Sequence, residues 1–130
     1  MQGIIMTTAT DLYNNTSNNT TEELQRYQRT ESVTQIGSWE WDINADTIWW
    51  SDTVYQFFDV NPADFNASYE HFLSFLTTES AESLDLQVQK IVADHQPYSH
   101  CIEVKKTGAL LHSRGFVVAD ANNQPVKLFG

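Results

Sequence analysis

The clearest structural signal in the chain is Ser38-Trp39-Glu40-Trp41-Asp42-Ile43, in which apolar and acidic residues alternate. In a β-strand this alternation places three large apolar side chains on one face and two carboxylates on the other. Asn44-Ala45-Asp46 has the composition of a turn, and Thr47-Ile48-Trp49-Trp50 is rich in residues that favour strands. The pattern predicts a β-hairpin with one buried face that carries tryptophan side chains.

Helical spacing replaces this alternation after the hairpin. Ser51-Asp52 is a helix start, and Asn61-Pro62 ends the short helix that follows it. Ser68 caps a second helix over residues 69–76, and a longer helix runs over about residues 80–95 before Pro97 ends it. The middle of the chain is therefore predicted to be helical.

Strand periodicity returns in the last third of the chain. We predict strands over residues 98–105, 109–119 and 126–129, separated by turn sequences. Grouped strands with a helical insertion are typical of an antiparallel α+β domain whose helices lie mostly on one face of the sheet.

The N-terminal residues have a different composition. Thr, Asn and Ser dominate residues 7–21, so we expect residues 1–20 to be a disordered or loosely ordered leader. Thr20 and Glu23 form a capping box, which predicts a flanking helix over residues 21–34. Leu24 and Tyr27 lie on one side of this helix, and such a thin apolar stripe needs a partner surface. These two residues are our candidates for a helix that forms a homodimer.

Composition excludes several classes of partner. The 130 residues include 7 Lys+Arg and 17 Asp+Glu, a net charge of −10, which disfavours binding to nucleic acid or to an anionic membrane surface. No run of about 18–20 apolar residues is present, so we expect no membrane span in this chain. The single Cys101 excludes an internal disulfide and a multi-cysteine zinc site, and it suits a reducing compartment. We therefore expect a cytoplasmic protein.

Two motifs, at residues 36–52 and at residues 120–130, resemble those of a known family. Ile36-Gly37-Ser38-Trp39-Glu40-Trp41-Asp42-Ile43, followed by Trp50-Ser51-Asp52, resembles the opening of PAS domains found in bacterial sensor histidine kinases and diguanylate cyclases. Residues 120–130 resemble the family's ending, D-x-x-G-x-P-V-x-L-x-G, and the resemblance covers about residues 35–130. It implies a PAS-like five-stranded antiparallel sheet, and helices that enclose a small cavity.

The resemblance also implies a function. We expect a non-catalytic sensory and dimerisation module, the input part of a larger signal-transduction protein with a kinase or cyclase output domain. A small molecule bound in the core is one expectation of the family. The residues whose spacing suits the pocket wall are Trp41, Trp50, Tyr55, Phe58, Phe72, Ile91 and His95. Aromatic side chains at strand or helix spacing are more often simple core packing, so two alternatives stay open: a ligandless interaction scaffold, or a small α+β enzyme with an apolar cavity.

The sequence does not identify a cofactor. Some PAS domains bind haem through a histidine on the helix that contains His95, but a histidine at a helix end more often meets the last carbonyls. Cys101 lacks the Asn-Cys-Arg-Phe motif of flavin-binding relatives, and we predict a partly buried structural thiol. Haem and flavin are therefore both disfavoured. His100, His112 and Glu103 are predicted surface residues, and we assign no metal ligands and no catalytic residues.

Overall fold

The computed structural model describes the backbone of residues 9–130 and the side chains of residues 20–130, except residue 32. The chain forms two compact units, of which the first ends at Ile36 and the second runs from Gly37 to Gly130. Among the residues that the structure describes, no helix is both long enough and apolar enough to cross a bilayer.

A single helix, α1, accounts for the described part of the first unit. It spans Ala9–Thr34 and ends where Gln35 adopts a left-handed conformation with φ of 57°. The backbone N–H of Ile36 donates to the carbonyl of Glu31 at 3.2 Å, which is the bond expected at such a helix end. Both dimer-helix candidates are exposed, Leu24 at 55% and Tyr27 at 51%.

The start of α1 differs from the predicted one. The helix begins at Ala9 rather than at residue 21, so it includes much of the segment predicted to be a leader, while residues 1–8 of that segment lie outside the described residues. Thr, Asn and Ser lower helix propensity by well under about 1 kcal/mol per residue. Extending an existing helix costs far less than nucleating one, so a poor composition does not stop it.

The second unit contains the predicted sheet and helices. In chain order its elements are β1 (Trp39–Asp42), β2 (Thr47–Trp50), α2 (Asp52–Phe58), a 3-10 helix (Pro62–Asp64), α3 (Tyr69–Ser74), α4 (Thr78–Asp94), β3 (Tyr98–Glu103), β4 (Leu110–Ala119) and β5 (Pro125–Phe129). The strands form one five-stranded antiparallel sheet in the order β2-β1-β5-β4-β3. The predicted α+β class, the antiparallel sheet and the preceding helix are confirmed.

One face of the sheet packs on the helices. Buried side chains from the strands meet buried side chains from α4 in a single apolar core, which includes Ile48, Trp50, Leu84, Val88, Ile91, Ile102, Val104 and Leu128. Gly115 on β4 lies under the ring of Tyr98 on β3, and a Cβ atom at this position would overlap the ring. The opposite face of the sheet, which we call the outer face, carries the alternate residues of each strand.

Tyr98 makes the stability of the sheet sensitive to alkaline pH. Burial raises the pKa of its phenol to about 12, although the hydrogen bond between its hydroxyl and Ser113 Oγ (3.2 Å) partly lowers it. The folded protein therefore holds the Tyr98 proton more tightly than the unfolded chain, whose tyrosine pKa is about 10. The protonated Tyr98 phenol therefore stabilises the folded protein, and this contribution to the free energy of unfolding is complete below pH 10 and is lost as the pH rises towards 12.

We predict that Tyr98→Phe reduces this alkaline loss of stability. The wild-type free energy of unfolding should fall by about 2 kcal/mol more than that of Tyr98→Phe between pH 10 and pH 12. Urea denaturation at a series of pH values measures the difference. If the free energy of unfolding changes equally with pH in the two proteins, the buried phenol of Tyr98 does not contribute to the alkaline loss of stability.

Candidate functional site

Aromatic rings fill the space between β2 and helices α2 and α3. We call this group the aromatic core cluster, and its members are Trp50, Tyr55, Phe58, Phe65, Phe72 and Phe75. Trp50 is only 4% exposed and lies at the centre. Its ring stacks on Phe65 at 4.1 Å between centroids and on Phe58 at 4.8 Å.

The remaining rings contact Trp50 from other directions. Tyr55 meets it edge-on at 5.2 Å, and the centroids of Phe72 and Phe75 each lie 6.0 Å away. Phe72 also lies 5.9 Å from Phe58 in a T-shaped arrangement. Separations of 4.5–7 Å are those of aromatic rings in direct contact. Four of the sequence-predicted pocket residues, Trp50, Tyr55, Phe58 and Phe72, thus belong to one network of ring contacts centred on Trp50.

Trp41 occupies a separate position beside this cluster. Its ring stacks on Tyr69 at 4.6 Å, and its indole N–H donates to Asp46 Oδ1 at 2.9 Å. The Tyr69 hydroxyl donates to Asp85 Oδ1 at 2.8 Å, which connects α3 to α4. Burial raises the pKa of the Tyr69 phenol, and the Asp85 carboxylate raises it further. The tyrosine is therefore a neutral donor at physiological pH.

The last two pocket candidates lie on α4 and directly after its last residue. Ile91 is 1% exposed and belongs to the apolar core. His95 follows the last residue of α4 in a left-handed conformation with φ of 61°, and its backbone N–H donates to the Ile91 carbonyl at 2.8 Å. Its backbone thus completes the end of α4, and among the described rings no contact joins its imidazole to the aromatic core cluster.

Phe65, Phe75 and Tyr69 are the site residues that sequence reasoning did not select. Phe75 and Tyr69 lie in the predicted second helix, so their helical spacing was available as a signal. Phe65 directly follows the 3-10 helix, in a stretch without regular periodicity, and only the tertiary structure places it on Trp50.

The outer face of the sheet carries exposed apolar side chains. We call Trp49, Phe116, Val118 and Phe129 the outer apolar patch; their exposed fractions are 54%, 39%, 41% and 39%. The Phe116 and Phe129 rings stack across β4 and β5 at 5.4 Å. Lys127 pairs with Glu40 at 3.2 Å on the same face, beside an open depression of about 280 Å³.

A polar cluster occupies the other end of the outer face. Cys101 is exposed, and its Sγ lies 3.6 Å from Nδ1 of His112, whose Nε2 lies 2.5 Å from Ser99 Oγ. The expectation of a partly buried thiol was therefore wrong, because Cys101 belongs to the outward-facing residues of edge strand β3. His100 faces the opposite way and contacts Ser83 Oγ at 2.7 Å, so the two histidines do not form one site. Over the described residues, no set of three or more His, Cys, Asp or Glu side chains is grouped as a metal site.

The fold and its aromatic core agree with a match to a known family. A family model described as PAS fold matches residues 47–130, more than half of the chain. The chain belongs to the PAS fold family. The matched residues begin at β2, so β1 lies outside the match. In the structure β1, which carries Trp39 and Trp41, lies between β2 and β5 and completes the sheet.

Solved structures of other PAS domains are similar to this one. A sensory box histidine kinase/response regulator from Burkholderia thailandensis E264 has a TM-score of 0.65 and 14% identity, covering 81% of this chain and 80% of that chain. The N-terminal domain of a diguanylate cyclase with PAS/PAC sensor from Marinobacter aquaeolei has a TM-score of 0.60 and 13% identity, covering 72% and 89%. At these identities the similarity establishes the fold alone. No curated protein matches this PAS domain.

Proposed function

We propose that this PAS domain is a non-catalytic sensory and dimerisation module, the input part of a larger bacterial signal-transduction protein. Membership of the PAS family supports the proposal, and the two similar structures come from a histidine kinase and a diguanylate cyclase. The output domain of this protein would be of one of these two types. A reducing, cytoplasmic location agrees with the single exposed thiol of Cys101.

The domain acts through its surfaces rather than through a ligand in its core. The support comes from the aromatic core cluster, in which Trp50 contacts rings on several sides and Phe65 stacks at 4.1 Å. Opening a cavity there would separate these rings and would lose both their packing and the burial of their apolar area. The ligandless interaction scaffold is therefore the form of the sensory module that we favour.

The single observation that carries the proposal is the outer apolar patch. Two stacked phenylalanines, a valine and a tryptophan are exposed on one face of the sheet. Phe116, Phe129 and Val118 adjoin one another, whereas Glu40 on β1 lies between Phe129 and Trp49. Exposed apolar side chains grouped in this way mark association surfaces, because covering them removes apolar area from water. The chain carries a net charge of −10, so an apolar surface is also where two copies approach with least repulsion.

Helix α1 offers a second surface for the same homodimer. Leu24 and Tyr27 are three residues apart, lie on one side of the helix and are both more than half exposed. An amphipathic helix with so thin a stripe gains stability when a partner covers it. Association of α1 would join two copies of the chain.

We expect Leu24→Glu combined with Tyr27→Glu to weaken the homodimer by at least about tenfold in Kd. Two carboxylates would have to be buried or left unpaired in the interface. Sedimentation velocity of the full chain over a range of concentrations measures the change, and Glu22→Gln on the exposed surface of α1 serves as the control. An unchanged dimer in the double variant would remove the role of this helix.

A further inference from the structure

We propose that Cys101, His112 and Ser99 form a peroxide-reactive thiol site on the outer face of the sheet. Cys101 is the nucleophile, His112 is its general base, and Ser99 orients the imidazole. The substrate class is a small hydroperoxide, with hydrogen peroxide as the simplest member. The site goes beyond the sensory and dimerisation role and does not require that two copies associate.

The register of two antiparallel strands builds the site. Cys101 on β3 lies directly opposite His112 on β4, so both side chains leave the sheet on the same face. The Sγ-to-Nδ1 distance of 3.6 Å is within hydrogen-bonding range for sulfur. Ser99, two residues before Cys101 on the same face, holds the other ring nitrogen at 2.5 Å. A nucleophile, a base in contact with it and a third group that orients the base are the components of an activated nucleophile.

The contact with Ser99 determines which ring nitrogen of His112 carries the proton and which one faces the thiol as an acceptor. A neutral imidazole has one N–H donor and one acceptor nitrogen. When Nε2–H donates to Ser99 Oγ, the lone pair of Nδ1 points at Cys101 and accepts its proton. We assign this tautomer to the reactive state, and the Ser99 hydroxyl is then a positioning group.

The charged neighbours of Cys101 on the outer face roughly balance. Arg114 is diagonal to it across the β3–β4 pair at about 7–8 Å, and Glu103 lies about 7 Å along its own strand. Leu110, opposite Glu103, is 76% exposed and adds no charge. β3 is an edge strand, so no further strand of the sheet lies beyond it. His112 is therefore the group expected to determine the reactivity.

The reaction balances without any further cofactor. His112 takes the proton of the thiol, and Cys101 Sγ attacks one oxygen of hydrogen peroxide. The S–O bond forms as the O–O bond breaks, so sulfur loses two electrons and the peroxide is reduced. The departing hydroxide receives the proton from His112 and leaves as water, which leaves Cys101 as a sulfenic acid.

The reaction is stoichiometric because the chain contains one cysteine. No second thiol of the same chain resolves the sulfenic acid, so a small external thiol would condense with it. This condensation releases water and forms a mixed disulfide. Such a modification places a new group on the outer face of the sheet.

The single cysteine allows a direct test on the full chain. Hydrogen peroxide is added at pH 7, the sulfenic acid is trapped with dimedone, and mass spectrometry follows the labelled fraction with time. The reference is a peptide of residues 99–103, which has the local sequence around Cys101 but lacks His112. We expect the folded chain to react at least about tenfold faster than the peptide.

Matched variants separate the role of His112 from a general effect of substitution. His112→Gln should react at least about tenfold more slowly than wild type, and Ser99→Ala should also be slower. His100→Gln, which changes a neighbouring histidine on the opposite face, should stay within about twofold. Circular dichroism checks that each variant is folded.

Two results would overturn the proposal. One is a folded wild-type chain that reacts no faster than the peptide. The other is a folded His112→Gln that reacts at the wild-type rate. If His112→Gln does not fold, the comparison with the peptide and Ser99→Ala decides the outcome, and equal rates for wild type and Ser99→Ala would then count against the site.

Discussion

Trp50→Ala is expected to lower the free energy of unfolding by about 3–5 kcal/mol, the usual cost of truncating a large buried aromatic side chain. The residue is 4% exposed and stacks between Phe58 and Phe65, so its removal leaves a cavity that rigid neighbouring rings cannot close. Urea denaturation followed by far-ultraviolet circular dichroism measures this loss. A fluorescence signal would be unsuitable, because the substitution removes a tryptophan.

The adjacent residue on β2 provides a matched control for this loss. Trp49 has the same chemistry but is 54% exposed on the outer face, so Trp49→Ala should cost less than about 1 kcal/mol. A Trp50→Ala variant that loses less than about 1 kcal/mol, like the expected loss for Trp49→Ala, would contradict the aromatic core cluster as the centre of the fold. Equal large losses would instead show that Trp49 is buried in the protein in solution.

Phe116→Glu combined with Phe129→Glu is expected to abolish association through the outer face, with Kd raised by at least about 100-fold. The two rings stack at 5.4 Å and are both 39% exposed. Their replacement puts two negative charges into an apolar surface of a chain whose net charge is already −10. Loss of the ring-to-ring interaction itself costs the monomer about 1 kcal/mol, in addition to the buried apolar area of the two rings and the repulsion of Glu40, which lies directly opposite Phe129.

Sedimentation equilibrium of the double variant tests this association. Leu110→Glu is the control, because it adds an outward-facing carboxylate to β4 six residues from Phe116, about 20 Å along the strand. The control should retain the wild-type Kd to within a few-fold. A double variant with an unchanged Kd would exclude the outer apolar patch from the interface.

Local patterns of the sequence were sufficient for the individual strands, whereas the five-stranded sheet was implied by the resemblance to PAS domains. The alternation around Trp39 and Trp41 predicted β1, its turn and β2, because strand periodicity depends only on neighbouring residues. The helix start at residue 21 was wrong in position, although Thr20 and Glu23 have the right spacing for a capping box. Capping chemistry marks a favourable start, but it does not prevent a helix from continuing on its N-terminal side.

Contacts between distant segments were harder to predict. Spacing selected Trp50 and Phe58 as facing the interior, but it did not show that Phe65 covers Trp50. Period-two alternation also placed Cys101 on the face opposite His100. The pairing of Cys101 with His112 depends on the β3–β4 register, which is set jointly by the hydrophobic patterns of the two strands and by the conformation of the loop between them, and not by either strand alone.

Native mass spectrometry of the full chain, purified under gentle conditions, tests most directly whether this PAS domain works through its surfaces. We predict a species with the mass of two chains and no additional mass, because rings fill the core around Trp50. A small molecule that is retained in a one-to-one ratio with the chain, and released on denaturation, would contradict the ligandless core on which the account depends.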